Sequence, residues 1–461
     1  MRCGFMQIAL LSTLGAALPL HAEQPAQPDT LGGGLMSRPR LTGNWFGLRD
    51  DMARKGVTLD VDLYWMPQTI MSGGTDTVGG AWGNATATLE LDTGKAGLWA
   101  GGHFKLQTVS SFGHNIMQET GALVPANITW MLPSPTKTDT GVQELSYTQF
   151  FSQKFGVTVG KINSIAPTNV LHGNYYTGFQ NTALNLPLAM ALVPLSAYGA
   201  GAIYLPSHDL TFAAMVLDPN GTIMDNDLGN AFDDGVMALT TMDMKVKPWD
   251  LPGHQNLTLA WSNKTRNSLT QDPGNLAAFL LTTRFPRLGD PGPVLGKILA
   301  QYPGIPTSSK PLNTENRTWA AVYSFEQFLW QPKGAPDRGL GLFFSAGVSD
   351  GKANPVKASF SLGVVGKGMV PGRPDDEFGI GWARTKFSDN FVPFLRDNFS
   401  LGLQREDVVE LYYDAPVTPW LSISPSLQII FPAMSKTVGA NNNFQDLSTS
   451  YIAGVRVGIR F

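Results

Sequence analysis

Tyr451-Ile452-Ala453-Gly454-Val455-Arg456-Val457-Gly458-Ile459-Arg460-Phe461 closes the chain, and its reading decides the fold. Tyr451, Ala453, Val455, Val457, Ile459 and Phe461 alternate with Ile452, Gly454, Arg456, Gly458 and Arg460. Successive side chains of a strand point to opposite faces, so the segment carries one apolar and one polar face. The same period recurs near the start: Val57, Leu59, Val61, Leu63 and Trp65 interleave with Thr58, Asp60, Asp62 and Tyr64. Between Ala85 and Asp92, Ala87, Leu89 and Leu91 interleave with Thr86, Thr88, Glu90 and Asp92. A soluble sandwich would show such alternation too. The connections distinguish the two.

Alternation and turn residues predict strands near 57–67, 83–92, 97–112, 142–151, 155–163, 196–205, 208–218, 234–247, 255–264, 315–331, 339–350, 355–368, 376–387, 405–416, 419–431 and 450–461. The joins after the even-numbered strands are brief: Thr93–Lys95, Ser152–Lys154, Pro206–Ser207, Lys247–Asp250, Pro332–Arg338, Pro371–Asp375 and Pro416–Thr418. Most odd-numbered joins are long, the largest running from Thr265 to Thr314, although the one after strand 11 is brief. Short turns at one end and long loops at the other mark an outer-membrane barrel. Closure leaves no strand edge unpaired, as lipid requires of a backbone. The expected fold is therefore all-β: a closed 16-stranded antiparallel transmembrane β-barrel with a short N-terminal helix.

Composition agrees. The 461 residues are 43% hydrophobic and only 15% charged, with 50 Gly, 32 Pro and a mean hydropathy of -0.05. Soluble domains carry about a quarter charged residues; a barrel, apolar outside and polar inside, averages to a neutral score with fewer. A net charge of -3 supplies no cationic footprint for nucleic acid. Arg2, the apolar run Phe5 to Leu18 and Leu20-His21-Ala22 read as a signal peptide over residues 1–22. That leaves Cys3, the single cysteine, in the signal, and the mature chain without disulfides or thiolate metal sites. Residues 23–40 read as a flexible lead, 41–56 as a short periplasmic helical segment N-capped near Asn44, and 57–461 as the barrel. Trp45, Leu48 and Met52 fall at helical spacing and are expected to pack against the periplasmic rim. The uncharged run Leu186 to Leu205 has spanning length, but Pro187, Pro194, Gly199 and Gly201 interrupt it, so extended structure reads better.

The terminal strand, ending on Phe461, resembles the C-terminal strand that the insertion machinery of bacterial outer-membrane barrels reads. Leu41-Thr42-Gly43-Asn44-Trp45-Phe46-Gly47-Leu48-Arg49, followed by Lys55-Gly56-Val57, resembles the opening of OprB-type carbohydrate-selective porins. Glu410-Leu411-Tyr412-Tyr413, Thr418-Pro419-Trp420-Leu421, Ser424 to Gln428 and Gly454 to Phe461 are similar to that family's end, with Val159-Gly160-Lys161-Ile162-Asn163 between. The resemblance implies a sixteen-stranded channel admitting sugars by diffusion in the outer membrane of a Gram-negative bacterium. Lys161 stands where Arg is usual and Phe46 where Gly is common, departures that fit a divergent member with altered specificity.

Inward-facing positions supply pore-lining candidates: Asp60, Asp62, Tyr64, Glu90, His103, Lys105, Gln107, Glu326, Glu377, Glu410, Tyr412, Gln428, Arg456 and Arg460. Closure of strand 1 on strand 16 is expected to bring Asp60 and Asp62 near Arg456. Asp60, Lys105, Glu410 and Arg456 fall mid-strand, where a constriction is expected. Mixed donors and acceptors suit neutral polyhydroxylated solutes, sugars and polyols; the bland reading of each residue is a salt-bridged wall that only braces the barrel. In barrel porins generally the loop after the fifth strand folds inward. Here it contributes His172, Asn174, Tyr175, Tyr176 and Phe179 as constriction-loop candidates, whose aromatic faces are expected to stack on the C–H faces of a sugar. The transport alternative is a porin for small organic acids such as quinate-like or sugar acids, with Lys105, Arg456 and Arg460 attracting them. From another class, a barrel hydrolase finds no G-x-S-x-G elbow, H-E-x-x-H or Walker loop here. No cofactor or metal is expected, and the partners are small solutes and the lipid bilayer. Apolar outward strand faces fit a homotrimer and a monomer alike.

Overall fold

The computed structural model describes residues 30–135, 137–165, 171–275, 278–279, 282, 310–390, 397, 404–438 and 444–461. The signal peptide, most of the join from Thr265 to Thr314 and Gly439 to Asn443 lie outside them. Sixteen strands form one closed antiparallel barrel: β1 (Val57–Gly74), β2 (Gly79–Asp92), β3 (Gly102–His114), β4 (Thr140–Phe150), β5 (Phe155–Asn163), β6 (Ser196–Ser207), β7 (Leu210–Leu217) and β8 (Met237–Val246), then β9 (Gly253–Ser262), β10 (Thr318–Trp330), β11 (Gly339–Ser349), β12 (Val356–Lys367), β13 (Glu377–Phe387), β14 (Arg405–Thr418), β15 (Leu421–Phe431) and β16 (Ser448–Arg460). Each strand pairs with its sequence neighbours, and β1 closes on β16 with Asp62 opposite Arg460 and Trp65 opposite Val457. The interrupted run at 186–205 ends in β6 rather than in a spanning helix.

The period-two pattern sorts the faces as its chemistry demands. Trp65, Leu89, Leu145, Val159, Trp261, Ile380 and Leu411 are exposed on the outside, whereas Tyr64, Asn84, Thr258, Glu410 and Arg456 are buried inside. A band of large exposed apolar side chains around a closed sheet is what hydrocarbon solvates. Gly73 shows how tightly the seam closes. Its φ is +76°, and a Cβ there would stand 1.9 Å from the Thr449 carbonyl oxygen, at the bulged end of the β1–β16 ladder. The joins after odd strands are long except after β1 and β11. That after β1 is only residues 75–78, because β1 and β2 run seven and four residues further than alternation predicts: the ladder continues through Thr69 opposite Gly79 where Gly and Pro blur the apolar pattern.

The N-terminal segment fastens this seam. The Asn44 side chain accepts from Gly47 N at 2.9 Å and starts a turn that leads into α1 (Leu48–Arg54). Arg49, only 3% exposed, donates to the Leu59 carbonyl at 2.6 Å and to the Phe461 carbonyl at 2.9 Å, and pairs with Asp60 at 3.1 Å. It therefore ties the first strand to the last residue. Its guanidinium lies 4.8 Å from the centre of the Trp45 ring. The expectation that Leu48 packs on the rim is corrected: Leu48 is exposed, and its neighbour Arg49 is the one turned inward. The flexible lead is also corrected over its described part. Residues 30–40 are tied down: Arg40 pairs with Asp60 and Asp62, Trp420 Nε1 donates to the Leu35 carbonyl at 2.7 Å, and Asp50 accepts from Thr30 and from Leu31 N. Those bonds, with one from Asn44, hold the Asp50 carboxyl below its usual range.

Arg49→Ala should remove the link between strand 1 and the terminus and cost about 2–3 kcal/mol, as loss of charged hydrogen bonds does. Urea unfolding in lipid vesicles reads this as a lower midpoint, whereas Arg54→Ala, exposed on the same helix, should leave it unchanged.

Candidate functional site: a lumen narrowed by two loops

Two long loops enter the barrel. The loop after β5 folds inward as expected over its described residues (164–165 and 171–195), and so does the loop after β3 over 115–135 and 137–139, which sequence reasoning missed. Its signal was the apolar run Ala122-Leu123-Val124-Pro125-Ala126-Asn127-Ile128-Thr129-Trp130-Met131-Leu132-Pro133, too apolar for an exposed surface. Ile128, Trp130 and Leu132 from one loop and Tyr175, Phe179 and Leu184 from the other join Tyr64, Met66, Trp82, Phe343 and Tyr412 of the wall in one core inside the lumen. The loops also bind each other: Ile128 N donates to the Gln180 carbonyl at 3.0 Å, and Thr182 N to the Pro125 carbonyl at 3.1 Å.

Wall side chains then grip the loop backbones. Glu410 accepts from Gln180 N at 2.8 Å and Asn181 N at 2.9 Å. Glu406 accepts from Leu123 N at 2.8 Å and Val124 N at 2.9 Å. Glu326 accepts from Leu171 N at 3.0 Å and His172 N at 3.2 Å, and bonds His172 Nδ1 as well. Arg456 does the reverse, donating to the Tyr175 and Gly178 carbonyls at 3.0 Å each. Gln428 donates to the Ala126 carbonyl and accepts from the Asn181 side chain, so it holds both loops. The pairings to N–H and carbonyl groups satisfy buried backbone that would otherwise cost about 1–3 kcal/mol per group.

These contacts reassign several candidates. Glu326, Glu410, Tyr412 and Arg456 point inward, but the loops cover them; Glu410 and Arg456 have no exposed surface. Tyr412 bonds Glu377 and meets Phe179 edge-on, with ring centres 4.7 Å apart. The aromatic faces expected beside the path are already used. Tyr176 stacks on Tyr64 at 3.9 Å, Tyr175 lies against Tyr176, and His172 stacks on Phe343 at 4.0 Å. Asn174 shapes the loop by accepting from Tyr176 N at 3.1 Å. Asp60 and Asp62 do not approach Arg456 as expected; their partners are Arg40 and Arg49. In the β1–β16 register Asp62 faces Arg460, and Arg456 sits four residues further along, about 13 Å away at strand rise.

Two inward ion-pair sets lie apart from the loop contacts. Arg40 stands 2.7 Å from Asp60 and 3.1 Å from Asp62. Lys105 stands 3.3 Å from Glu144 and 3.8 Å from Glu90, with Gln107 donating to Thr88 beside it. His103 is buried and meets Phe150 edge-on. Arg40, Glu144 and Glu406 were not anticipated. Glu406 was legible, since it lies four residues before Glu410 and hence on the same face; Arg40 was not, because nothing in a Pro- and Gly-rich lead fixes where it docks. Lys161, the departure from the family motif, donates to the Ile223 and Asp225 carbonyls and to Asn226 Oδ1, anchoring the loop after β7. Among the described residues no cluster of His, Cys, Asp and Glu has metal-binding geometry.

Glu410→Ala should leave Gln180 N and Asn181 N without an acceptor and loosen the inward loop while the barrel still closes. Single-channel recordings are expected to show larger and noisier conductance than the unmutated channel, with heat-modifiable gel mobility retained.

Known proteins with this architecture bear directly on the chain. The family described as "Carbohydrate-selective porin, OprB family" matches residues 81–461. Porin B of Pseudomonas aeruginosa is 31% identical over 145 residues, 29% of this chain, and the chain spans about 30% of that relative's length. The high-pH structure of Pseudomonas putida OprB shares the fold with a TM-score of 0.73 at 19% identity, covering 93% of this chain and 100% of that one. The low-pH structure of the same protein aligns at 0.52 and 16% identity, over 92% and 99% of the two chains. A closed sixteen-stranded barrel, apolar outside and loop-filled inside, with the family match running to its last residue, identifies the chain as an outer-membrane porin belonging to the carbohydrate-selective OprB family.

Proposed function

We propose that the chain conducts small neutral polyhydroxylated solutes, sugars and polyols, by passive diffusion into the periplasm and leaves them chemically unchanged. One observation carries the reading: two inward cations that the loops leave uncovered are each flanked by two carboxylates, Arg40 by Asp60 and Asp62, Lys105 by Glu90 and Glu144. Such sets offer hydroxyl groups donors and acceptors together while presenting no cationic excess. A solute exchanges its hydrogen bonds to water for these at little net cost.

The organic-acid reading draws no support from this arrangement. Arg456 is fully buried with its guanidinium on loop carbonyls, and Lys105 is enclosed by acids. Arg460 faces Asp62 across the seam. The family description names carbohydrate selectivity. The likeness to Pseudomonas aeruginosa Porin B points to the same class of channel.

Planar-bilayer recording tests the reading. Channels should form, neutral sugars should reduce the current in a concentration-dependent manner, and organic acids of equal size should do so less. Absence of channels would remove the porin assignment; equal block by sugars, acids and unrelated ions would remove the solute preference. Lys105→Ala should shift the reversal potential toward cations with less than about a threefold change in sugar block. Solute recovered from swollen liposomes should be intact.

A further inference from the structure

On the outward face of the described strands, the ionised residue types Asp, Glu, Lys and Arg are almost absent. Lys161 is one exception, and its ammonium is engaged by the loop after β7. The others form a single patch, Arg384 and Lys386 on β13 and Arg405 and Asp407 on β14, with the exposed Lys357 beside it at the β12 register shift between Val356 and Ala358. The outward direction of the β13 and β14 residues follows from register. Arg384 lies opposite Phe360 and Asp407, Trp382 opposite Leu362 and Val409, while Ala383, Thr385 and Glu406 between them are buried inside.

β12 starts, β13 ends and β14 starts at the long-loop end, which in outer-membrane barrels is the extracellular one. The patch therefore sits at the level of the outer-leaflet headgroups. Four cations against one carboxylate leave an excess of three positive charges. Asp407 is committed, accepting from Arg384 Nε at 2.8 Å and Trp382 Nε1 at 3.1 Å, with Arg405 Nε at 3.6 Å. That network fixes Arg384 and leaves Lys357, Lys386 and Arg405 exposed. Lys386 and Arg405 are direct cross-strand partners. Like charges placed opposite each other destabilise a sheet, and charge on a lipid face costs more still, so the arrangement calls for an anion between them. Beneath it Phe360, Leu362, Ile380 and Leu411 form an exposed apolar strip that fits acyl chains.

We propose that this patch binds the phosphate groups of an outer-leaflet glycolipid, with Lys357, Lys386 and Arg405 holding phosphate oxygens and the strip below holding the acyl chains. A second copy of the chain is a poor occupant, because the outward faces of the described strands offer it no carboxylate beyond the already paired Asp407. The proposal rests on outer-membrane placement and not on which solute the channel admits.

Native mass spectrometry of the full-length barrel, titrated with a diphosphorylated glycolipid and with its dephosphorylated form, tests it. The diphosphorylated form should bind at least tenfold tighter, a preference measurable on the unmutated protein. The double variant Lys386→Ala/Arg405→Ala should lose that preference while keeping unmutated single-channel conductance. Equal binding of the two lipids, an unaffected double variant, displacement by equimolar inorganic phosphate, or cross-linking of the patch to a second copy would each overturn it.

Discussion

Pairs of consecutive backbone amides directed at a single carboxylate hold the inside of this barrel together. Glu406, Glu410 and Glu326 each take two, from different turns of the inward loops. A loop brought into a protein interior carries N–H and C=O groups with no ladder to join, and a carboxylate brought there loses its water. Each answers the other's deficit. Arg456 does the converse by donating to the Tyr175 and Gly178 carbonyls, so the wall supplies the loop after β5 with both acceptors and donors. With these backbone groups matched, Trp130, Tyr175 and Phe179 pack against Tyr64, Phe343 and Tyr412 in one core inside the lumen, where a bare barrel of this size would hold water.

The inward charges that the loops leave uncovered are of a different kind. They are ion-pair sets rather than backbone clasps, and they retain exposed surface: Asp60, Asp62 and Glu90 side chains are 37%, 24% and 33% accessible. The barrel divides its inward charges between those that hold loops and those that pair with one another. The N-terminal segment serves both ends: Arg49 fastens the seam at Phe461, and Arg40 supplies a cation to the open set.

Much of this fold could be read from the chain before any coordinates. All sixteen strands were legible because membrane solvation imposes a strict period of two; the largest underestimates were of β1 and β2, seven and four residues, where Gly and Pro interrupt the apolar face. The site was less legible. Period two tells that Glu410 and Arg456 face inward, but whether an inward residue meets water or a loop depends on where that loop lies, which no local pattern encodes. The tyrosines of the loop after β5 were identified and misassigned for the same reason: an aromatic suited to stacking on a sugar is equally suited to stacking on Tyr64. The apolar stretch of the loop after β3 was a readable sign that went unused.

Hydrogen–deuterium exchange on the reconstituted barrel tests the clasps most directly. The amides of Leu123, Val124, Leu171, Gln180 and Asn181 should exchange as slowly as those of neighbouring strand residues such as Val408. Exchange of these five at the rate of free surface loops would contradict the account, because the loops would then lie outside the lumen with the wall carboxylates left to line it.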